Sequence, residues 1–227
     1  MNKPIQLTFP WLRKTKASFD NFYFDSSNKL LRETLEGNED LFLFGSHETG
    51  KTYLLNALCN NYAENDLISL YIPIKEVIDL GPQFLESLEN LNLICIDDIN
   101  LVSENQEWEI AVFNLINSCL LSNCRLVFAS SINLSEINFQ LPDLVSRIKK
   151  IHCLKVYPIK ENRVPDAIKY ITKSKSINLG ENEINYLMTH SKRGIANLTA
   201  IIDQLDKLSM ELKRKITIPL IKKLFSN

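Results

Sequence analysis

The chain has no hydrophobic run long enough to cross a bilayer. Its longest apolar runs, such as LFLF at 41–44 and LICI at 93–96, fall far short of the roughly 20 residues that a spanning helix needs. Residues 1–20 hold no apolar stretch of the signal-peptide kind, so a cytoplasmic location with no membrane partner is expected. The five cysteines (Cys59, Cys95, Cys119, Cys124, Cys153) include no C-x-x-C pair. An odd number of thiols, most of them among apolar neighbours, reads as buried thiols and not as a disulfide framework or a metal site. There is no internal repeat and no low-complexity tract. A composition of 45% hydrophobic and 23% charged residues excludes the disordered and collagen-like classes. The three histidines, His47, His152 and His190, form no catalytic pattern.

Net charge is nearly absent too, at −1 for 227 residues, but the balance is uneven. Strand-like spacing gives way to helical spacing at Pro158. Residues 1–157 carry 13 Lys+Arg against 20 Asp+Glu, net −7, and residues 158–227 carry 13 against 7, net +6. A basic C-terminal part would suit DNA or an acidic partner. Its cations are scattered, however, apart from Lys213, Arg214 and Lys215, which is the pattern of a solvated helical surface.

Five short apolar runs are present: LFLF (41–44), LISLYI (67–72), LNLICI (91–96), RLVFAS (125–130) and HCLKV (152–156). Their β-branched and aromatic content suits buried strands. Longer stretches of helical spacing lie between them. Trp108, Ala111, Val112, Leu115 and Cys119, for example, recur every three or four residues and share one stripe. Strands alternating with helices imply parallel pairing and a sheet covered on both faces, an α/β arrangement. Beyond Pro158 only helical segments follow, at about 161–174, 181–191 and 195–213, with a last apolar piece at 218–225. Gly180 and Gly194 punctuate the first two ends.

The run LFLF leads directly into GSHETGKT (45–52), which satisfies G-x-x-x-x-G-K-[ST], and an amphipathic segment follows. Gly45 and Gly50 let the backbone amides of Gly45, Ser46, His47, Glu48, Thr49 and Gly50 turn toward phosphates, helped by the positive end of the helix. Lys51 is placed for the β/γ-phosphates of ATP or ADP, and the Thr52 hydroxyl for Mg²⁺. A second apolar strand ends in Asp97 and Asp98. Asp97 would hold Mg²⁺ directly or through water, and Asp98 would orient or deprotonate an attacking water. Alternatively the pair caps the turn that follows.

With these motifs the sequence resembles the AAA+ ATPases of the DnaA kind, and more closely the Hda branch of DnaA homologues, which inactivates the replication initiator. The resemblance runs over nearly the whole chain. SFDNFYFDSSNKLL (18–31) is similar to the segment that wraps the adenine, which makes Phe22 a candidate base contact. LPDLVSRI (141–148) is similar to the box ending in an arginine finger, which assigns that role to Arg147; pairing with Asp143 one turn earlier is the plainer account of this residue. WEIAVFNLIN (108–117) and DQLDKLSMELKRKITIP (203–219) resemble the corresponding helices and tail. The implied fold is a P-loop NTPase with a five-stranded parallel sheet flanked by helices and a small α-helical lid domain. Its divisions would be an N-terminal tail at 1–12, a nucleotide-binding domain at 13–157 and a lid at 158–227.

Three positions depart from the family pattern. Glu48 stands where the loop usually has glycine, bringing an anion close to the phosphates. The γ-phosphate sensor falls on Ser130 or Ser131, where an aspartate is usual. The sensor arginine of the lid falls on Ala196, with Arg193 about one turn earlier as a possible substitute. Weak intrinsic turnover is therefore expected.

The segment QLTFP (6–10) resembles the pentapeptide that binds the sliding clamp (beta) of DNA polymerase III, with Gln6, Leu7 and Phe9 in the recognition roles and Pro10 closing an extended stretch. The alternative is that it packs on the protein itself. The resemblance further implies a negative regulator of replication initiation that binds the clamp and stimulates hydrolysis of DnaA-bound ATP through Arg147, with self-association as a further possibility. No room remains for the C-terminal helix-turn-helix of DnaA, so sequence-specific DNA binding is not expected. The rival is an autonomous ATPase that loads or remodels a replication factor, similar to DnaC.

Overall fold

The runs LFLF and LICI read as unbroken apolar stretches because both faces of the sheet are covered where they lie. The computed structural model describes residues 17–88, 90–191 and 194–225. The strands are β1 (Leu41–Phe44), β2 (Ser69–Pro73), β3 (Leu93–Asp97), β4 (Arg125–Ser130) and β5 (His152–Lys155). All pair in parallel, in the order β2-β3-β4-β1-β5. Leu41 on β1 stands between Val127 of β4 and His152 of β5. The second strand starts at Ser69, two residues inside the run LISLYI, because Leu67 and Ile68 remain exposed.

Alternation along each strand sorts its side chains into two cores. Phe42, Ile94, Ile96, Leu126 and Phe128 point into one. Leu41, Leu43, Leu93, Cys95, Val127 and Ala129 point into the other. Helices α1 (Lys29–Glu36) and α2 (Lys51–Glu64) cover the second face through Leu31, Leu35, Leu54, Leu55 and Leu58. Helices α3 (Ile74–Val77), α4 (Gln106–Ser122) and α5 (Pro142–Ile148) cover the first through Ile74, Val77, Trp108, Val112, Leu144 and Ile148. Phe42 and Phe128 are fully buried with ring centroids 6.4 Å apart; truncating either to alanine would cost about 3–5 kcal/mol.

Local chemistry sets the helix ends. Helix α4 starts where the Asn105 side chain accepts from the Trp108 amide, carries Glu107 and Glu109 in its first turn, and stops at Asn123 in left-handed backbone. The buried Arg125 opens β4 and donates to the carbonyls of Thr34, Leu35 and Glu39. Two of these, Thr34 and Leu35, lie in the last turn of α1, whose end carbonyls lack partners further along the helix.

Helices α6 (Val164–Ser174), α7 (Glu181–His190), α8 (Ile195–Leu212) and α9 (Ile218–Phe225) enclose a third core built on Ile168, Ile184, Leu187, Leu198, Ile202, Leu205 and Ile221. The segment preceding α1 touches both parts of the chain. The Asn28 side chain donates to the Tyr157 carbonyl and accepts from its amide, each at 3.0 Å. Tyr23 packs on Tyr170 of α6 with centroids 5.6 Å apart, and its hydroxyl accepts from Arg163.

The five thiols are free: Cys95, Cys119 and Cys124 are buried and Cys59 half-buried. Cys153 is exposed, contrary to the expectation of a buried thiol, because it lies on the edge strand β5, which pairs only with β1. Among the described residues no helix is long and apolar enough to cross a membrane.

Candidate nucleotide site

Parallel strands leave their C-terminal ends at one edge of the sheet, where loops from β1, β3 and β4 converge. The loop after β1 runs from Gly45 to Gly50 and feeds α2. Two of its residues must lack side chains. A Cβ on Gly45 would stand 2.4 Å from the Val156 carbonyl oxygen. Gly50 has φ 92, and a Cβ there would meet the Phe22 ring at 2.6 Å. The loop's amides are thus free to face an anion, and α2 starts immediately behind them.

Within the loop, Thr49 is buried and its hydroxyl donates to the Ser46 carbonyl. Lys51 is buried as well, with Nζ donating to the carbonyls of Gly45 (2.7 Å) and Ser46 (2.9 Å). Burial lowers the Lys51 pKa, and Asp97 and Asp98 oppose that shift. Ser46, His47 and Glu48 form the exposed tip. Glu48 occupies left-handed backbone, φ 64, which a non-glycine residue adopts only at a cost.

Asp97 ends β3 almost wholly buried. Its Oδ2 accepts from the Thr52 hydroxyl at 2.6 Å and the Tyr71 hydroxyl at 3.0 Å, and its Oδ1 from the Asp98 amide. No ion pair reaches it among the described residues. Burial, the largest influence, raises its pKa, and the neighbouring charge of Asp98 adds to that. The same surroundings push the Tyr71 hydroxyl up. Asp98 is half-buried in left-handed backbone at the head of the next turn and makes no side-chain cap bond there. Capping is therefore not what it does.

A nucleoside polyphosphate with Mg²⁺ is the group that this arrangement implies, and the residues fit it. The loop presents backbone amides, and a lysine ammonium is held at the loop by two carbonyls. The Thr52 hydroxyl adjoins a buried carboxylate that lacks a cation. Among the described residues no cluster of three or more His, Cys, Asp or Glu could hold a metal alone.

The other expected residues are placed as follows. Phe22 lies half-buried on Gly50, with ring centroids 4.6 Å from Phe24 and 5.9 Å from Tyr53. Ser130 is fully buried and donates to Asn100 Oδ1 and the Ile132 carbonyl, while Ser131 donates its amide to the same Asn100 oxygen and keeps a half-buried side chain. Ala196 is exposed in the first turn of α8. Arg147 is half-buried in the last turn of α5; among the described residues it forms no ion pair, with Asp143 or any other group, and no bond joins it to the phosphate loop. Gln6, Leu7, Phe9, Pro10 and Arg193 lie outside the described residues.

Three functional neighbours escaped sequence reasoning. Tyr71 and Asn100 support Asp97 and the serine pair; the only sign of either was a polar group near the end of an apolar strand. Glu109 is fully buried on α4, and its carboxylate accepts from the amides of Glu104, Gln140 and Leu141. It fixes the entry into α5, and so the helix that carries Arg147.

The family model described as Hda, lid domain, matches residues 161–225, the span of α6 to α9. An uncharacterized protein of Haemophilus influenzae is 31% identical over 232 residues, covering 100% of both chains. Domain III of the Thermotoga maritima replication initiation protein DnaA superposes with a TM-score of 0.72 at 17% identity, over 92% of this chain and 95% of that one. AMPPCP-bound DnaA from Aquifex aeolicus gives 0.66 at 23% identity, over 86% and 66%. The chain spans 65% of a DnaA chain bound to AMPPCP and single-stranded DNA. A DnaI structure matches 63% of this chain, at a TM-score of 0.54 and 16% identity.

Proposed function

The chain belongs to the Hda-like, DnaA-homologous AAA+ proteins, and from that membership we propose that it is a negative regulator of replication initiation. In this reading residues 1–12 dock on the sliding clamp through Gln6, Leu7, Phe9 and Pro10. Residues 13–157 hold a nucleotide, and residues 158–227 form the lid. Arg147 is presented to ATP bound in DnaA and stimulates its hydrolysis.

The observation that carries the proposal is Arg147 itself. A guanidinium without an ion pair among the described residues, on a helix fixed by a buried carboxylate, suits a cation delivered to another molecule. In trans it would stabilise charge developing on the transferred phosphoryl group, an effect worth about 10³–10⁵ in rate. In the chain's own site the amides of residues 45–50 and Lys51 would hold the phosphates of ADP or ATP, and Thr52 and Asp97 would hold Mg²⁺, which supplies charge neutralisation. Phe22 would meet the base, Ser131 and Arg193 would flank the phosphates, and Asp98 would orient water. Burying Leu7 and Phe9 in a clamp pocket would contribute roughly 1.5–3 kcal/mol each, and two tails on one assembly would bind a dimeric ring more tightly by avidity.

The test is turnover of DnaA-bound ATP in the presence of clamp loaded on DNA. Arg147→Ala is expected to lose the stimulation, and a chain lacking residues 1–10 is expected to lose clamp capture. Normal stimulation by the Arg147→Ala protein rejects the mechanism. The second reading, an autonomous ATPase acting as a loader, is favoured by the phosphate loop, Asp97 and Asp98 together with the likeness to DnaI. It requires steady ATP turnover by the isolated chain.

A further inference from the structure

The turn after β3 holds a side-chain amide that the fold orients and then leaves without an acceptor. Asn100 stands in the short turn Ile99–Val102, directly after Asp97 and Asp98, and is half-buried. Its Oδ1 accepts from the Ser130 hydroxyl at 3.1 Å and from the Ser131 amide at 3.2 Å. A backbone N–H only donates, so the atom that faces Ser131 is the oxygen, and the two ends of the amide are told apart. Nδ2 is the other end, and among the described residues it meets no acceptor. Ser130, by contrast, has nothing left to offer a ligand. It is fully buried, its hydroxyl has a single proton for Asn100 and for the Ile132 carbonyl at 2.8 Å, and its oxygen accepts from the Ile132 amide at 3.1 Å. Ser130 also ties Asn100 to the phosphate loop. Its carbonyl accepts from the Gly45 amide at 3.3 Å, and it pairs with Phe44 across β4 and β1. One residue thus lies between the Asn100 amide and the first residue of the loop, at the same edge of the sheet as Asp97 and Asp98.

We propose that Asn100 recognises the terminal phosphate of a nucleoside triphosphate, with Nδ2 donating to an oxygen of that phosphate. The inference rests on reading the loop as a nucleotide site. A phosphate oxygen only accepts, and the ionised carboxylates of Asp97 and Asp98 have no proton to give it. Ser130 is spent inside the protein. Asn100 is the polar side chain of this strand end that is both held in one orientation and left with donors to spare. Two serine contacts fix the amide before any ligand arrives, so little freedom is lost when the donor is used. A hydrogen bond to a charged oxygen is among the stronger kinds. A diphosphate lacks the group that would receive it. Asn100 is thus a specificity residue that separates ATP from ADP.

The experiment uses the full chain and the variants Asn100→Asp and Asn100→Ala, with calorimetric Kd values for ADP and for the non-hydrolysable triphosphate AMPPCP in the presence of Mg²⁺. Asn100→Asp keeps the oxygen that the serines bond and removes the donor; Asn100→Ala removes both ends without adding charge. Unfolding midpoints taken without nucleotide check that each variant is folded. Both variants should raise the Kd for AMPPCP relative to that for ADP, by about tenfold or more for the loss of a hydrogen bond to a charged oxygen. Ser131→Ala should change that ratio less. A ratio kept by Asn100→Asp but lost in Asn100→Ala overturns the proposal, because only support of the serines then matters. A change confined to Asn100→Asp overturns it as well, since the added charge alone explains it. Equal weakening of both nucleotides, or a larger effect of Ser131→Ala, removes the role from Asn100. A wild-type chain that binds neither nucleotide overturns the nucleotide-site reading and the proposal with it, whereas wild-type binding with ratios unchanged in both variants overturns the proposal alone.

Discussion

Lys51 and Arg147 are both cations on short polar stretches, yet the molecule treats them in opposite ways. Lys51 is buried and bonded to two carbonyls of its own loop. Arg147 is half-exposed, and among the described residues it has no ion pair. What is fixed around Arg147 is the helix it stands on, because Glu109 ties down the backbone at Gln140 and Leu141. A cation satisfied at home is suited to a site in the same chain. One left unpaired on an anchored support is suited to a site elsewhere.

The largest expected effect separates the two directly. Arg147→Ala should abolish stimulation of DnaA-bound ATP hydrolysis, a loss of about 10³-fold or more, without changing this chain's affinity for ADP. Lys51→Ala should do the reverse to that affinity, and exchanged outcomes would break the contrast. Next comes Glu109→Ala, which leaves the amides of Glu104, Gln140 and Leu141 unpaired. Denaturant unfolding should report a loss of about 3–5 kcal/mol, and Glu109→Gln, which keeps one acceptor oxygen, should lose less.

A smaller and opposite effect is expected at Asp97. Burial raises its pKa, so the folded chain binds a proton more readily than the unfolded one. Stability then falls as pH rises from the ordinary carboxylate range through the raised folded value, and the charged form is a net cost at neutral pH. In nucleotide-free protein Asp97→Asn should therefore raise the unfolding midpoint at pH 7. The gain should shrink to nothing as pH falls below the ordinary range, and a pH-independent gain would contradict this origin. The smallest effect is at Arg32, which pairs with Asp20 and Glu36 on the surface, each at 2.9 Å. Arg32→Ala should cost about 0.2–1 kcal/mol, and less in high salt.

Much of this architecture is legible along the chain. The runs read as strands because a parallel sheet covered on both faces favours apolar residues on both sides of its inner strands, as LFLF of β1 and LICI of β3 show. The phosphate loop is equally plain, since a glycine-bounded turn between a strand and a helix is a local device. Site composition was harder. Asp98 read as a cap or as the group that orients or deprotonates water, and the missing cap bond was visible only once the backbone at 98 was seen in left-handed geometry. Cys153 looked buried by its neighbours, and only its place on an edge strand exposes it. Glu48 looked like an anion aimed at phosphates, whereas its carboxylate is turned toward Gly194.

What the sequence determined by itself is whatever repeats with a strand or helix period or is spelled within a single turn: the alternation of elements, both faces of the sheet, the loop from Gly45 to Thr52. The tertiary structure alone decided which polar groups meet. Asn28 grips the Tyr157 backbone across 129 residues, Thr52 meets Asp97 across 45, and Glu109 holds Leu141 across 32. Parallel crossovers bring distant strand ends to one edge, and a lone polar side chain has no period by which its partner could be foreseen.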